Sequence, residues 1–256
     1  MLKRKREGVN FFMKKEFTIL SAVLLCASLA FGVVADQDDF NDNSIDATRW
    51  DVDNYFGATM TVAETGGALQ ITSIGNSTED DIEAGIELNQ ILTGWFDLSI
   101  KFDSSGCTEE SVLGVNIEDV NEVYSYSFIN GTIDLGSGES RYWAVVDSNN
   151  DSLPFLYQAT TTDDSGTFFV GYDDEEANGT LYFSSDGESY LYSVTGVNDW
   201  GVTGFNVSFT LADLGSSTGA TGSFDDFAVV PEPAVAMLFG AGGLGLIVLR
   251  RRISRQ

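Results

Sequence analysis

"GWFDLSIKF", residues 94–102, sets Phe96, Leu98, Ile100 and Phe102 against Trp95, Asp97, Ser99 and Lys101. Successive side chains of a strand point to opposite faces. Strict apolar/polar alternation is therefore the pattern of a strand with one face buried. The same period recurs in "SVLGVNIED" (111–119), "EVYSYSFIN" (122–130), "RYWAVVDS" (141–148), "PFLYQAT" (154–160), "GTFFVGYD" (166–173), "GFNVSFTL" (204–211) and "SFDDFAVV" (223–230). Glycine-bearing turns separate such segments. "ATMTVAETGGALQITSI" (58–74) reads as two strands around Thr65-Gly66-Gly67, and "GTLYFSSDGESYLYSV" (179–194) as two more around Asp186-Gly187. Both are hairpin signals, because glycine accepts the positive φ that tight turns need. Between residues 36 and 230 a 3.6-residue period is almost absent. About eleven to thirteen short strands without helices predict an all-β, two-sheet sandwich in one domain.

The charge is distributed unevenly. Residues 36–230 hold three cations, Arg49, Lys101 and Arg141, against 36 acids, a net charge of −33. Such a surface repels nucleic acid and excludes that partner. It also repels itself, which favours solubility and costs compaction, so screening salt or bound divalent cations are expected to stabilise it. Aromatic residues are 12% of the chain and hydrophobic residues 43%, enough to build a core rather than a disordered acidic segment.

Both ends differ from this middle. "MKKEFTILSAVLLCASLAFGVVAD" (13–36) has a basic start at Lys14-Lys15, an apolar run from Thr18 to Gly32, and small residues at Val33 and Ala35. That is the build of a secretory signal peptide cleaved after Ala35, with Met13 as an alternative start and an uncleaved anchor as the alternative reading. Export leaves Cys107 as the one cysteine, so no intramolecular disulfide forms. At the other end, Pro231 and Pro233 interrupt the preceding structure. Residues 234–249 are free of charge, and Arg250, Arg251 and Arg252 follow. As a helix those sixteen residues span about 24 Å, short of the ~30 Å hydrocarbon core. The arginines would remain cytoplasmic.

Val230-Pro231-Glu232-Pro233, a Gly-rich apolar helix and Arg250-Arg251-Arg252 together resemble the PEP-CTERM sorting signal. The resemblance implies a Gram-negative source that makes extracellular polysaccharide. It also implies export machinery and an exosortase as partners, and a membrane-anchored precursor processed near the Pro-Glu-Pro before release to the surface or matrix. The expected organisation is a signal peptide over 1–35, a sandwich over 36–229, and a sorting signal over 230–256 with its transmembrane helix at 234–249.

The sandwich has a resemblance of its own. "DDFNDNSIDATRWDV" (38–52) opens it, a "YFSSDG" hairpin comes late, and "GSFDDFAVV" (222–230) closes it. This order resembles the concanavalin A-like, laminin G-like jelly roll, which implies that the first and last strands pair.

The absence of histidine excludes a Ser-His-Asp or Cys-His nucleophile and disfavours zinc and copper sites. Carboxylates remain for acid–base work, as in glycosidases. Some enzymes of the jelly-roll group carry Glu-x-Asp-x-x-Glu on one strand. The nearest stretch here is Glu79-Asp80-Asp81-Ile82-Glu83, with Ala84 where the last Glu belongs. The pattern fails, and the expectation is therefore that the chain is not an enzyme. Calcium is the cofactor the composition favours, since it takes oxygen ligands. The candidate ligands are Asp38 and Asp39, grouped with Asp42, and Asp225 with Asp226. Asp147, Asn149 and Asp151 offer a second loop, lacking the usual glycine and final Glu, and the acids at 173–176 a third cluster. Asp and Asn also favour turns for local hydrogen bonding. Aromatics stack on sugars, but more often they are core. By alternation, Arg141 and Trp143 are the outward candidates for glycan binding, with Tyr142, Ala144 and Val146 on the inward face. Three readings follow: a non-catalytic surface or matrix protein that binds glycan, a glycoside hydrolase or lyase, and a structural coat protein without a specific ligand.

Overall fold

The alternating stretch at 94–102 becomes part of an eleven-residue strand, Phe96–Gly106. Phe96, Leu98, Ile100 and Phe102 are buried, while Asp97 and Lys101 are exposed and Ser99 is half-buried. The structure is a computed structural model and describes residues 36–231, apart from 55–59, 76–81, 122, 137, 149–154 and 216–217. The signal-peptide expectation for 1–35 and the helix and arginine cluster of the sorting signal lie outside the described residues. Among the described residues no helix is long and apolar enough to cross a membrane.

Two antiparallel sheets form the fold. The first runs β13 (Tyr190–Thr195), β12 (Thr180–Ser184), β11 (Ser165–Asp173), β6 (Phe96–Gly106), β15 (Thr221–Pro231), β4 (Ala68–Ser73), β3 (Met60–Thr65), with β1 (Asp36–Asp38) also paired to β15. The second runs β10 (Phe155–Thr160), β9 (Glu139–Asp147), β8 (Ser125–Asp134), β7 (Ser111–Asp119), β14 (Phe205–Asp213), β5 (Ile82–Leu88), β2 (Trp50–Asn54). The expected pairing of first and last strands is present, with Asp36 opposite Val229 and Asp38 opposite Phe227. The β3–β4 turn pairs Thr65 with Ala68 across Gly66 and Gly67, whose φ values are 66° and 84°. Two successive positive φ angles are those of a type I′ turn, which glycine adopts without steric cost.

Ala35–Val229 form one compact unit. Its main core lies between the sheets. Phe96, Leu98, Ile100, Phe168, Val170, Leu181, Phe183 and Phe224 come from the first sheet, and Ile82, Ile86, Val115, Ile117, Phe128, Val145, Val207 and Phe209 from the second. Rings meet edge to face here, as Phe128 does with Phe168 and Phe183 at centroid distances of 5.1 and 5.8 Å. A smaller cluster of Val112, Ile129, Ile133, Tyr142, Ala144 and Val146, with Phe155 and Ala212 against it, sits on the other face of the second sheet. Strands β2 and β5 were absent from the sequence expectation, and both belong to the second sheet.

Candidate functional site

Strand β5 reads Ile-Glu-Ala-Gly-Ile-Glu-Leu. Ile82, Ala84, Ile86 and Leu88 enter the core, so alternation turns Glu83, Gly85 and Glu87 outward. On β14 the same logic buries Val207, Phe209 and Leu211 and turns Asn206, Ser208 and Thr210 outward; on β7 it turns out Asn116 and Glu118. These three strands are neighbours. Ser208 lies opposite both Glu87 and Asn116, Asn206 lies opposite Glu118, and Thr210 lies opposite Gly85. On the far side of β7, Ser127 faces Asn116 and Ser125 faces Glu118.

The outcome is a polar depression of about 200 Å³ on the outer face of the second sheet, lined by Glu83, Glu87, Asn116 and Glu118 with hydroxyls from Ser125, Ser127, Ser148, Ser208 and Thr210. Glu83, Glu87, Asn116 and Glu118 are half-buried, reachable but held. Asn116 is its hub. Its side-chain amide donates towards Glu83 Oε1 at 3.2 Å, Ser208 Oγ at 3.3 Å and Thr210 Oγ1 at 3.2 Å. The Ser127 and Ser148 hydroxyls share a hydrogen bond of 2.7 Å at the rim. Gly85 keeps the floor open. A Cβ there would sit 2.1 Å from the Phe209 carbonyl oxygen, a backbone atom that cannot step aside.

The residues singled out from the sequence fall elsewhere. Trp143 is 6% exposed and lies in the main core, with ring centroids 5.2 Å from Phe102, 5.1 Å from Phe128 and 5.3 Å from Phe168. The face assignment of β9 is therefore reversed: Trp143 and Val145 point inward, while Tyr142, Ala144 and Val146 join the outer cluster. Arg141 is engaged by the protein's own groups. Its Nη1 donates to Ser104 Oγ (2.5 Å) and Asn130 Oδ1 (3.1 Å), and its Nη2 to the carbonyls of Ser104 and Cys107 (3.0 Å each). The guanidinium pins the 104–107 segment to the end of the sandwich. Cys107 is wholly buried there, and burial pushes its thiol up to about 12, so it is protonated and unreactive at neutral pH.

The proposed calcium ligands do not converge. Asp38 Oδ2 accepts from Arg49 Nη1 at 3.0 Å and from the Trp50 indole at 2.8 Å. Asp39 is taken by the Asn41 amide, Asp225 by the Asp226 amide at 2.7 Å, and Asp226 by Lys101. Local hydrogen bonds and two of the domain's three cations satisfy these acids. Among the described residues no group of three His, Cys, Asp or Glu side chains gathers to hold a metal. Of the second candidate loop, Asn149 and Asp151 lie outside the described residues. In the cluster at 173–176, Asp173 accepts from the Glu175 and Glu176 amides, 2.9 Å each, as a turn residue does. At the sorting motif, Val230 and Pro231 end β15; Glu232, Pro233, Arg250, Arg251 and Arg252 lie outside the described residues.

No protein-family model matches the sequence, and no curated protein sequence matches it. Solved structures do. The chain has a jelly-roll fold. An endo-acting O-glycanase of the human gut microbiota is similar over 78% of this chain and 99% of its own, at 13% identity and a TM-score of 0.58. LamA of Z. galactanivorans, solved with laminaritriose and laminaritetraose, is similar over 78% and 99%, at 11% identity and a TM-score of 0.56. The carbohydrate recognition domain of Emp47p is similar over 76% and 93%, at 12% identity and a TM-score of 0.53. Identities this low establish the fold. The expectation that the chain is not an enzyme is corrected here: an O-glycanase and a glycosyl hydrolase family protein share this fold, so the fold gives no ground for excluding an enzyme. That expectation rested on the absence of histidine and on a failed single-strand acid motif, whereas here glutamates from β5 and β7 line one depression.

Proposed function

We propose that this chain is an exported glycoside hydrolase, binding and cutting a polysaccharide at the depression on the outer face of the second sheet. The observation that carries the reading is the meeting of Glu83, Glu87 and Glu118 with Asn116 and a ring of hydroxyls in one half-buried hollow. Glycosidases need two carboxyl groups, one to protonate the leaving oxygen and one to attack the anomeric carbon or to deprotonate a water. Glu87 and Glu118 stand on strands either side of β14. Two strand spacings, with a two-residue offset between Glu87 opposite Ser208 and Glu118 opposite Asn206, put their backbones roughly 12 Å apart. Side chains of this length, leaning toward one another, bring their carboxyl groups to the ~6.5–9.5 Å of an inverting pair. Glu83, tied to Asn116, orients the sugar with the hydroxyls. The hollow is smaller than the ~300–1,000 Å³ of a pocket that encloses a drug-sized ligand. It suits a short stretch of a chain that continues across the sheet.

The Pro231-Glu232-Pro233 tail with its apolar run and arginines supports delivery through export machinery and an exosortase to the surface or matrix. Intact-mass analysis of the surface-recovered protein checks this: it is expected to start near Asp36 and to lack residues 234–256. For the chemistry, the test is release of new reducing ends from a panel of polysaccharides. Glu87→Gln and Glu118→Gln should each lower the rate by about 10²–10⁴ with an unchanged melting temperature. A polysaccharide retained by the native chain with no new reducing ends would refute cleavage.

A further inference from the structure

Anionic sugars are usually held by guanidinium or ammonium groups, which pair with their carboxylates, sulfates or phosphates. Residues 36–230 possess three such cations, and each has a partner away from the depression. Arg49 Nε lies 2.8 Å from Asp36 and its Nη1 3.0 Å from Asp38. Lys101, on the first sheet, pairs with Asp226. Arg141 spends four hydrogen bonds on Ser104, Asn130 and Cys107. None of the three lines the depression, where the charged residues are Glu83, Glu87 and Glu118.

We infer that the glycan accepted at this depression carries no anionic substituent. It is a chain of neutral or amino sugars, and uronate, sulfated and phosphorylated chains are turned away. The inference rests on the depression being the glycan site and adds the substrate class. Each like-charge contact at about 4 Å weakens binding roughly fivefold in water, and more where water is thin. The net charge of −33 over 36–230 extends that repulsion to a polyanion still approaching.

The test is a binding panel of size-matched neutral, amino-sugar, uronate and sulfated oligosaccharides, offered to the full chain in non-ionic detergent without divalent cations. Two variants accompany it. Ser208→Trp blocks the depression, and Ser208→Lys places an ammonium in it. The expected result is retention of neutral or amino oligosaccharides by the native chain and its loss in Ser208→Trp. Ser208→Lys should raise uronate retention about fivefold or more. A uronate or sulfated oligosaccharide held by the native chain and lost in Ser208→Trp would overturn the substrate class while leaving the site intact. A folded native chain that retains no member of the panel would overturn the glycan site itself, and the inference with it.

Discussion

Truncating Trp143 to alanine tests which face of β9 points inward. Trp143 is 6% exposed and packed among Phe102, Phe128 and Phe168, all within 5.3 Å between ring centroids. Removing an indole from such a site loses its transfer free energy and leaves a cavity that three aromatic neighbours cannot readily fill. Trp→Ala changes in cores cost roughly 3–5 kcal/mol. An area count agrees, since an aromatic side chain of ~150–250 Å² at ~25 cal/mol per Å² gives about 4–6 kcal/mol as an upper bound. For a domain of this size each kcal/mol moves the melting temperature by about 2–4 °C, so a drop of roughly 6–20 °C is expected. Urea unfolding followed by far-UV circular dichroism measures the loss, with an unchanged m-value showing that the transition is the same. Glycan retention per folded molecule should not change, because the indole lies on the opposite face of the sheet from the depression. A loss under about 1 kcal/mol, the range of an exposed site, combined with lost retention, would refute the packing described here.

Asp119 supplies an acid-dependent test. Its burial acts to raise its pKa, but hydrogen bonds from the Asn121, Val123 and Tyr124 amides at 2.6–2.8 Å together outweigh burial and hold it below the usual carboxylate range. A depressed folded pKa contributes stability above the unfolded value of about 3.9 and loses it as pH falls through the folded value. Asp119→Ala should therefore cost about 1–3 kcal/mol at pH 7, with the gap to the native chain narrowing on acidification. Urea midpoints taken from pH 7 downward check this, and a gap that does not change with pH would refute it. Raising sodium chloride from about 0.05 to 0.5 M should raise the melting temperature by screening repulsion. Calcium at matched ionic strength should add no increment that Asp38→Asn removes, since Arg49 and Trp50 already occupy that carboxylate; an increment removed in this way would restore the calcium site.

The sandwich was legible where one strand face is apolar and the other polar. Phe96 to Phe102 announced β6, and Gly66-Gly67 and Gly187 marked two hairpins whose glycines do take positive φ. Strand β9 misled because both of its faces are apolar. Trp143 and Val145 serve the main core, while Tyr142, Ala144 and Val146 serve the outer cluster, so alternation alone leaves the parity open. The depression was hidden for a different reason. Asn116 meets Glu83 from 33 residues away and Thr210 from 94, and a single-strand motif cannot report such a meeting. One signal was present in the sequence. The outward positions of "IEAGIEL" and "GVNIED" carry Glu83, Glu87, Asn116 and Glu118 against otherwise apolar strands. An ionisable residue on the polar face of a strand is ordinary; several on β5 and β7, which flank β14, line one depression.

The most direct test of the central claim is hydrogen–deuterium exchange of the full chain with and without an oligosaccharide that it retains. Bound sugar should protect amides along β5, β7 and β14, the strands that carry Glu83, Glu87, Glu118, Asn116 and Ser208, and leave β11, β12 and β13 of the first sheet unchanged. Protection confined to the first sheet, or to the β10 and β13 edges, would contradict the assignment of the functional site to the outer face of the second sheet.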